Sequence, residues 1–349
     1  MKKYNFPPVF SKTDFTVCAV PVPRGYPQSQ THVGAFLNEE DRVFLTSSPF
    51  PCRKESLLYI YFKAIMRKLT RGVLFPIIPG ETYENPLLYI QVDNSFCDFK
   101  LMQSRPLMEQ PDPYYGLPSF NSDPDLFIEG NRIFVINRSI FRTRLTPGMN
   151  RDDYVIRHYL IQGIIDKDKF KYFSTELFYE SDVLSVSPCL TKYKESYVYT
   201  NLYTNCYNDG SSFDGLKYKK GNTLKATLSS DVWYDVVVDT TNYIPWHMSL
   251  FVYKGKLYSI VCCIKRGFDH YCYQMLGVFN DNLSNLFIYE HPLTNYNSYR
   301  GSAFVSSDGI FHLYSTTVNE KIKDGNSIDG REVIYASMPF DSLLNKLNR

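Results

Sequence analysis

The stretch SDPDLFIEGNRIFVINR (122 to 138) reads as a polar start, a short apolar strand, a tight turn and a second, aromatic-rich strand. The same design returns as VSPCLTKYKESYVYTN (186 to 201), WHMSLFVYKGKLYSIV (246 to 261) and YRGSAFVSSDGIFHLYS (299 to 315). Counting back ten residues from the start of each second strand, at Ile133, Tyr197, Leu257 and Ile310, lands on Asp123, Ser187, His247 and Arg300. A looser copy, THVGAFLNEEDRVFLTSSP (31 to 49), places Val33 at that position, so His32 joins the polar column only if the strand slips by one residue or carries a bulge. Steps of 64, 60 and 53 residues along the column leave room for four strands each, and the longer step of 91 from His32 to Asp123 implies an insertion. A period near sixty in an all-β chain is what a propeller produces, with one sheet per repeat around an axis. The expectation is therefore an all-β chain folded as one five-bladed β-propeller over 1 to 349, with an inserted segment in the first blade. Its blades start near 31, 122, 186, 246 and 299.

Composition agrees with sheets. Aromatic residues make up 16 % of the chain, with 29 Tyr and 25 Phe against 2 Trp, and β-branched runs dominate while long 3.6-residue periodicity is scarce. Outer strands are expected at 153 to 164, 231 to 239, 271 to 279, 286 to 293 and 332 to 338, and 14 to 22 is a candidate strand for closing the ring. KESLLYIYFKAIMRKLTRG (54 to 72) reads either as a helix or, at LLYIYF, as a strand. Segments 103 to 121 and 204 to 222 read as long polar rim loops, the first rich in proline.

The net charge of +2, from 38 basic and 36 acidic residues with no run of about five like charges, argues against a nucleic-acid partner. Eight cysteines, at 18, 52, 97, 189, 206, 262, 263 and 272, show no CxxC and no Cys/His spacing suited to zinc. They read as free core thiols, and neither a metal nor a cofactor is expected. The N-terminal MKKYNFPPVFSKTDF has no apolar run behind its lysines, and no stretch of about eighteen apolar residues follows elsewhere. The expectation is a chain made without a signal peptide, not inserted in a membrane, and cytoplasmic or virion-associated.

First strands of a propeller converge at one mouth of its channel. The residues they would gather there are Asp123, Asp125, His32, Ser187, Trp246, His247, Tyr299 and Arg300, with Glu84 and Asn85 nearby. Carboxylates, imidazoles, a guanidinium and aromatic faces together suit a sugar, through bidentate hydrogen bonds to vicinal hydroxyls and stacking on the ring.

SDPDLFIEGNRIFVINR also resembles the DP-strand-turn-strand signature of the five-bladed propeller glycosidases, the group containing glycoside hydrolase families 43, 32 and 68. ENPLLYIQVDNSFCDF (84 to 99) is similar to a segment of a bacterial and phage branch of that group. The resemblance implies three carboxylates on successive first strands, serving as base or nucleophile, as pKa modulator and as general acid. Asp123 matches the Asp of a blade-opening DP motif. Ser187, in VSPCL, stands where the resemblance implies a glutamate, and the first blade offers no carboxylate either. Glycoside cleavage normally uses two carboxyl groups about 5 to 9.5 Å apart. Asp123 and Asp125, roughly 7 Å apart on one strand, are the candidate catalytic pair. Glu180, Asp182 and Glu84 are the candidates for the missing acid, and Arg300 is a candidate partner for Asp123. Two further readings stay open: a non-catalytic virion, assembly or receptor-glycan adhesion component with other virion proteins as partners, and a protein-interaction propeller.

Overall fold

The computed structural model describes residues 7–23, 29–50, 62, 65, 66, 68–70, 86–103, 107, 120–142, 154–205, 212–265, 272–294, 298, 300–317 and 331–348. Among these the chain is nearly all strand. A short N-terminal strand, β1 (Thr16–Val17), precedes five antiparallel runs. The first is β2 (Ser29–Leu37), β3 (Val43–Phe50), β4 (Leu87–Gln91) and β5 (Phe99–Leu101). The second is β6 (Phe120–Glu129), β7 (Arg132–Arg142), β8 (Tyr154–Asp166) and β9 (Lys169–Ser181). The third is β10 (Ser185–Tyr193), β11 (Ser196–Asn205), β12 (Ser212–Gly221) and β13 (Tyr234–Val238). The fourth is β14 (Tyr243–Tyr253), β15 (Lys256–Lys265), β16 (Cys272–Phe279) and β17 (Asn285–Ile288). The last is β18 (Ser302–Val305), β19 (Ile310–Thr316) and β20 (Val333–Pro339), completed by β1 pairing with β20. The third and fourth runs join at their outer edges through a parallel β13–β17 contact into one eight-stranded sheet.

The first strands touch in sequence, β2 to β6 to β10 to β14 to β18, and β18 returns to β2, so they close a ring. Successive side chains on a strand point to opposite faces, and on the inner strands of the runs both faces are largely buried. Phe44 packs with Leu126 and Ile133 of the second run, while its neighbours Val43 and Leu45 pack with Phe304 and Tyr314 of the last. Phe127 turns from Leu126 and Ile128 towards Tyr197 and Tyr199 of the third run. The remaining contacts, third run to fourth and fourth to last, are filled by further apolar clusters. A core distributed between neighbouring sheets explains the near-continuous apolar strands, and it defines a propeller.

Two helices sit on this frame. The short α1 (Leu224–Leu228) is capped by Thr223, whose side chain accepts from the Ala226 N–H. The C-terminal α2 (Phe340–Leu347) buries Phe340, Leu343 and Leu347 beside Phe251 and Phe311. Phe62, Ile65, Met66, Lys68 and Leu69 are helical, with Thr70 N–H bonded to Met66 O at 2.9 Å, so this part of 54 to 72 takes the helical option. The supposed rim loop at 204 to 222 is instead largely strand, as β12. Among the described residues no helix is long and apolar enough to cross a membrane.

Candidate functional site

Four first strands break register near their starts: between Thr31 and Gly34, Ser122 and Asp125, Val186 and Cys189, and Pro245 and His247. These bulges leave His32-Val33, Asp123-Pro124, Ser187-Pro188 and Trp246 without ladder partners and re-aim their side chains. A proline there costs no ladder hydrogen bond, which accounts physically for the Asp-Pro and Ser-Pro dipeptides. His32, Asp123 and Ser187 adopt φ of 52°, 56° and 50°. A non-glycine residue enters this left-handed region at a cost of about 1–2 kcal/mol. The same strained conformation thus recurs at three equivalent places, each presenting a polar side chain to the centre of the ring. The bulge in β2 puts His32 in the polar column, while Val33 faces the apolar core.

Asp123 is the hub. Its Oδ1 lies 3.1 Å from His32 Nε2 and 3.4 Å from His247 Nδ1. Its Oδ2 accepts from Arg138 Nη2 at 2.9 Å and from the Ser187 backbone N–H at 3.0 Å. Ser187 also ties its hydroxyl to His247 Nδ1 at 2.8 Å, and the two imidazoles meet edge to face at 5.1 Å. Burial pushes the Asp123 carboxyl up, but the charge of Arg138, then those of His247, His32 and Arg300, outweigh it and hold the group well below the usual carboxylate range. Burial pulls His247 well below its usual range, opposed by Asp123.

Arg300 engages Asp125, where the sequence suggested Asp123. Its Nη2 donates to Asp125 Oδ1 at 3.0 Å, its Nε to Met248 O at 3.0 Å, and its Nη1 to Pro124 O. Asp125 Oδ2 accepts the Leu190 N–H at 2.8 Å. Burial pushes the Asp125 carboxyl up to about 6, against the charge of Arg300. Asp125 and the wholly buried Arg300 therefore form a clasp binding the second, third, fourth and last runs together. Gly301 follows because a Cβ there would stand 2.8 Å from Tyr314 O.

The expected pairing of Asp123 and Asp125 is not what this arrangement provides. The bulge lies between them, and each carboxylate meets its own arginine and its own backbone N–H, Asp123 through Oδ2. Glu180 is no substitute acid: it lies on the outer strand β9, bonded to Arg157 Nε at 2.6 Å. Asp182 is exposed on the short link between β9 and β10. Trp246 is partly buried with its ring 5.8 Å from that of His247. Glu84, Asn85 and Tyr299 lie outside the described residues. Sequence reasoning missed Arg138, which stands opposite Ser122 in the β6–β7 ladder and donates to its hydroxyl at 2.8 Å. Counting across that hairpin would have found it.

One donor atom each from His32, Asp123 and His247 lie within 4.8 Å of one another, all three residues buried. Two imidazoles and one carboxylate are a ligand set suited to a divalent transition-metal ion. No local spacing announces it, because the three donors come from three separate runs. Arg138 and Ser187 would then be the outer groups that orient the carboxylate and one ring.

No family model matches the chain, and no curated protein is similar to it in sequence. Solved structures are similar in fold. An N-acetylgalactosamine deacetylase from F. plautii, in complex with blood group B trisaccharide, superposes with a TM-score of 0.62 at 14 % identity, over 98 % of this chain and 97 % of that one. A xylan beta-1,4-xylosidase from Bacillus halodurans C-125 gives 0.61 at 12 % identity over 90 % of this chain, which spans 54 % of that protein. An alpha-L-arabinofuranosidase from Lactobacillus brevis gives 0.56 at 10 % identity, over 90 % of this chain and 94 % of that one. These likenesses are of fold alone, and the class they define is the β-propeller.

Proposed function

We propose that the chain is a single five-bladed propeller that engages a glycan at the mouth of its channel, and that its centre is a divalent-cation site formed by His32, Asp123 and His247. The observation that carries this reading is the convergence of those three buried donors, each from a different run, His32 and Asp123 within bulges and His247 directly after one. A bound cation polarises a carbonyl and lowers the pKa of bound water. Hydrolysis of an acyl group on an amino sugar suits such a centre better than glycosidic cleavage. Cleavage by acid and base uses two free carboxyl groups, and both aspartates here are held by arginines. Proteins similar in fold include a deacetylase in complex with a trisaccharide and several glycosidases, which supports a glycan as the ligand. The non-catalytic reading, a virion or adhesion scaffold, draws on Ser187 standing where a glutamate is implied.

The test is calorimetric titration of chelator-treated protein with Mn²⁺ and Zn²⁺, followed by acetate release from N-acetylhexosamine glycans. One ion per chain, lost in H247A and D123N, is the expected result. Wild-type protein that takes up neither ion overturns the cation centre. Ion binding and glycan binding without turnover leave the adhesion reading in its place.

A further inference from the structure

Residues 16 to 19 stitch the last sheet to the first. On one side Thr16 and Val17 pair with Tyr335 and Ile334, and the Cys18 N–H donates to Val333 O at 2.8 Å. On the other, Ala19 forms a parallel bridge with Asp98, its N–H donating to Cys97 O at 2.7 Å and its carbonyl accepting from Phe99 N–H at 3.0 Å. One step back along this bridge, Cys18 stands beside Cys97. Register neighbours in a parallel pair carry side chains on the same face with backbones about 4.8 Å apart, inside the Cα range of about 4.4–6.8 Å that a disulfide spans. Cys18 is buried and Cys97 partly exposed.

We propose that Cys18 and Cys97 are a modification site: a low-molecular-weight disulfide such as oxidised glutathione converts them to a cystine that locks the ring's closure. The Cys97 thiol loses its proton and the thiolate attacks one sulfur of the reagent, forming a mixed disulfide and releasing one glutathione thiolate. The Cys18 thiol then gives up its proton, and its sulfur attacks the Cys97 sulfur and expels the second glutathione. Two protons and two electrons leave the protein, and the reagent is reduced to two thiols. The roles follow from position. Cys97 is reachable from solvent, and the neighbouring Cys18 thiol lowers its pKa, whereas Cys97, then burial, raises that of Cys18. Burial likewise raises the thiols of Cys189, Cys262 and Cys263.

The experiment treats reduced full-length protein with oxidised glutathione, alkylates the remaining thiols, and maps peptides by mass spectrometry without reduction. The wild type is expected to yield a linked Cys18–Cys97 peptide lighter by two hydrogens, and to melt several degrees higher than the reduced form, reversibly with dithiothreitol. C18S is expected to retain glutathione on Cys97, because nothing resolves it, and C97S to form neither adduct nor link. Alkylation of both cysteines in the oxidised wild type overturns the proposal, as does linkage of either to another cysteine. A link that leaves the melting temperature unchanged overturns the locking role.

Discussion

Arg138 neutralises a carboxylate that is wholly buried, so the two side chains stand or fall together. In R138M the Asp123 carboxylate remains inside the ring beside two imidazoles with its nearest cation gone. Breaking a buried pair in this way costs about 3–5 kcal/mol. Adding D123N removes the uncompensated charge, so the double variant is expected to be more stable than R138M alone, by at least about 1 kcal/mol. Urea denaturation of both variants in metal-free buffer is the measurement, and strictly additive losses would show that the pair is not coupled. His158 gives a pH dependence at the same scale. Its Nδ1 lies 2.5 Å from Tyr199 OH and its Nε2 3.3 Å from Ser185 Oγ, and burial, then the charge of Arg138, lowers its pKa from 6.5 to about 3. Folded His158 stays neutral while the unfolded chain takes up a proton below pH 6.5. The unfolded state therefore binds more protons between these values, and stability falls as pH drops through that window, by about 1–2 kcal/mol at pH 5. H158N, whose side chain does not titrate, is expected to show a correspondingly shallower loss between pH 7 and 5 in denaturation midpoints. An unchanged slope would place the proton uptake elsewhere.

The first strands and their hairpins were legible because alternation, turn residues and a fixed count coincide, as at Leu126–Ile128 against Ile133–Val135. The bulges were less so. A ladder count assumes regular pairing, and only the Asp-Pro and Ser-Pro dipeptides hinted that Asp123 and Ser187 leave it. The outer strands show where polarity misleads. In β12 the lysines of SFDGLKYKKG suggest a loop, yet Lys219 lies 4.5 Å from the centre of the Trp233 ring and Lys220 5.7 Å from that of Tyr234. Both ammonium groups sit over aromatic rings, and Lys219, itself buried, also donates to Leu228 O, which charge counts alone do not show. The proposed cation ligands were hidden for a different reason. His32, Asp123 and His247 share the ten-residue column once the bulge in β2 is allowed for, but nothing in that column marks these three as ligands until closure of the ring brings them within 4.8 Å. Arg300 was read with the wrong aspartate because the bulge turns Asp125, two residues on, towards it.

A ring of sheets has one joint the chain does not cross, and here the N-terminal segment bridges it. β1 supplies the outer strand of the last sheet, Ala19 reaches the first, and Cys18 joins Val33, Leu45, Tyr314 and Val333 in the apolar cluster between them. A chain beginning at Pro21 loses these contacts together. It leaves β20 as an edge with open backbone groups, which invites pairing with other molecules. Because Asp123, His247 and Arg300 meet only when all the runs are held in register, loosening this joint also loosens the centre. The truncated chain is expected to unfold at lower denaturant, with a shallower transition, to associate as its concentration rises on size exclusion, and to bind Mn²⁺ more weakly than the full chain. Full-length stability in the truncated chain would mean that the interlocked sheets, without the N-terminal strand, suffice to keep the ring shut.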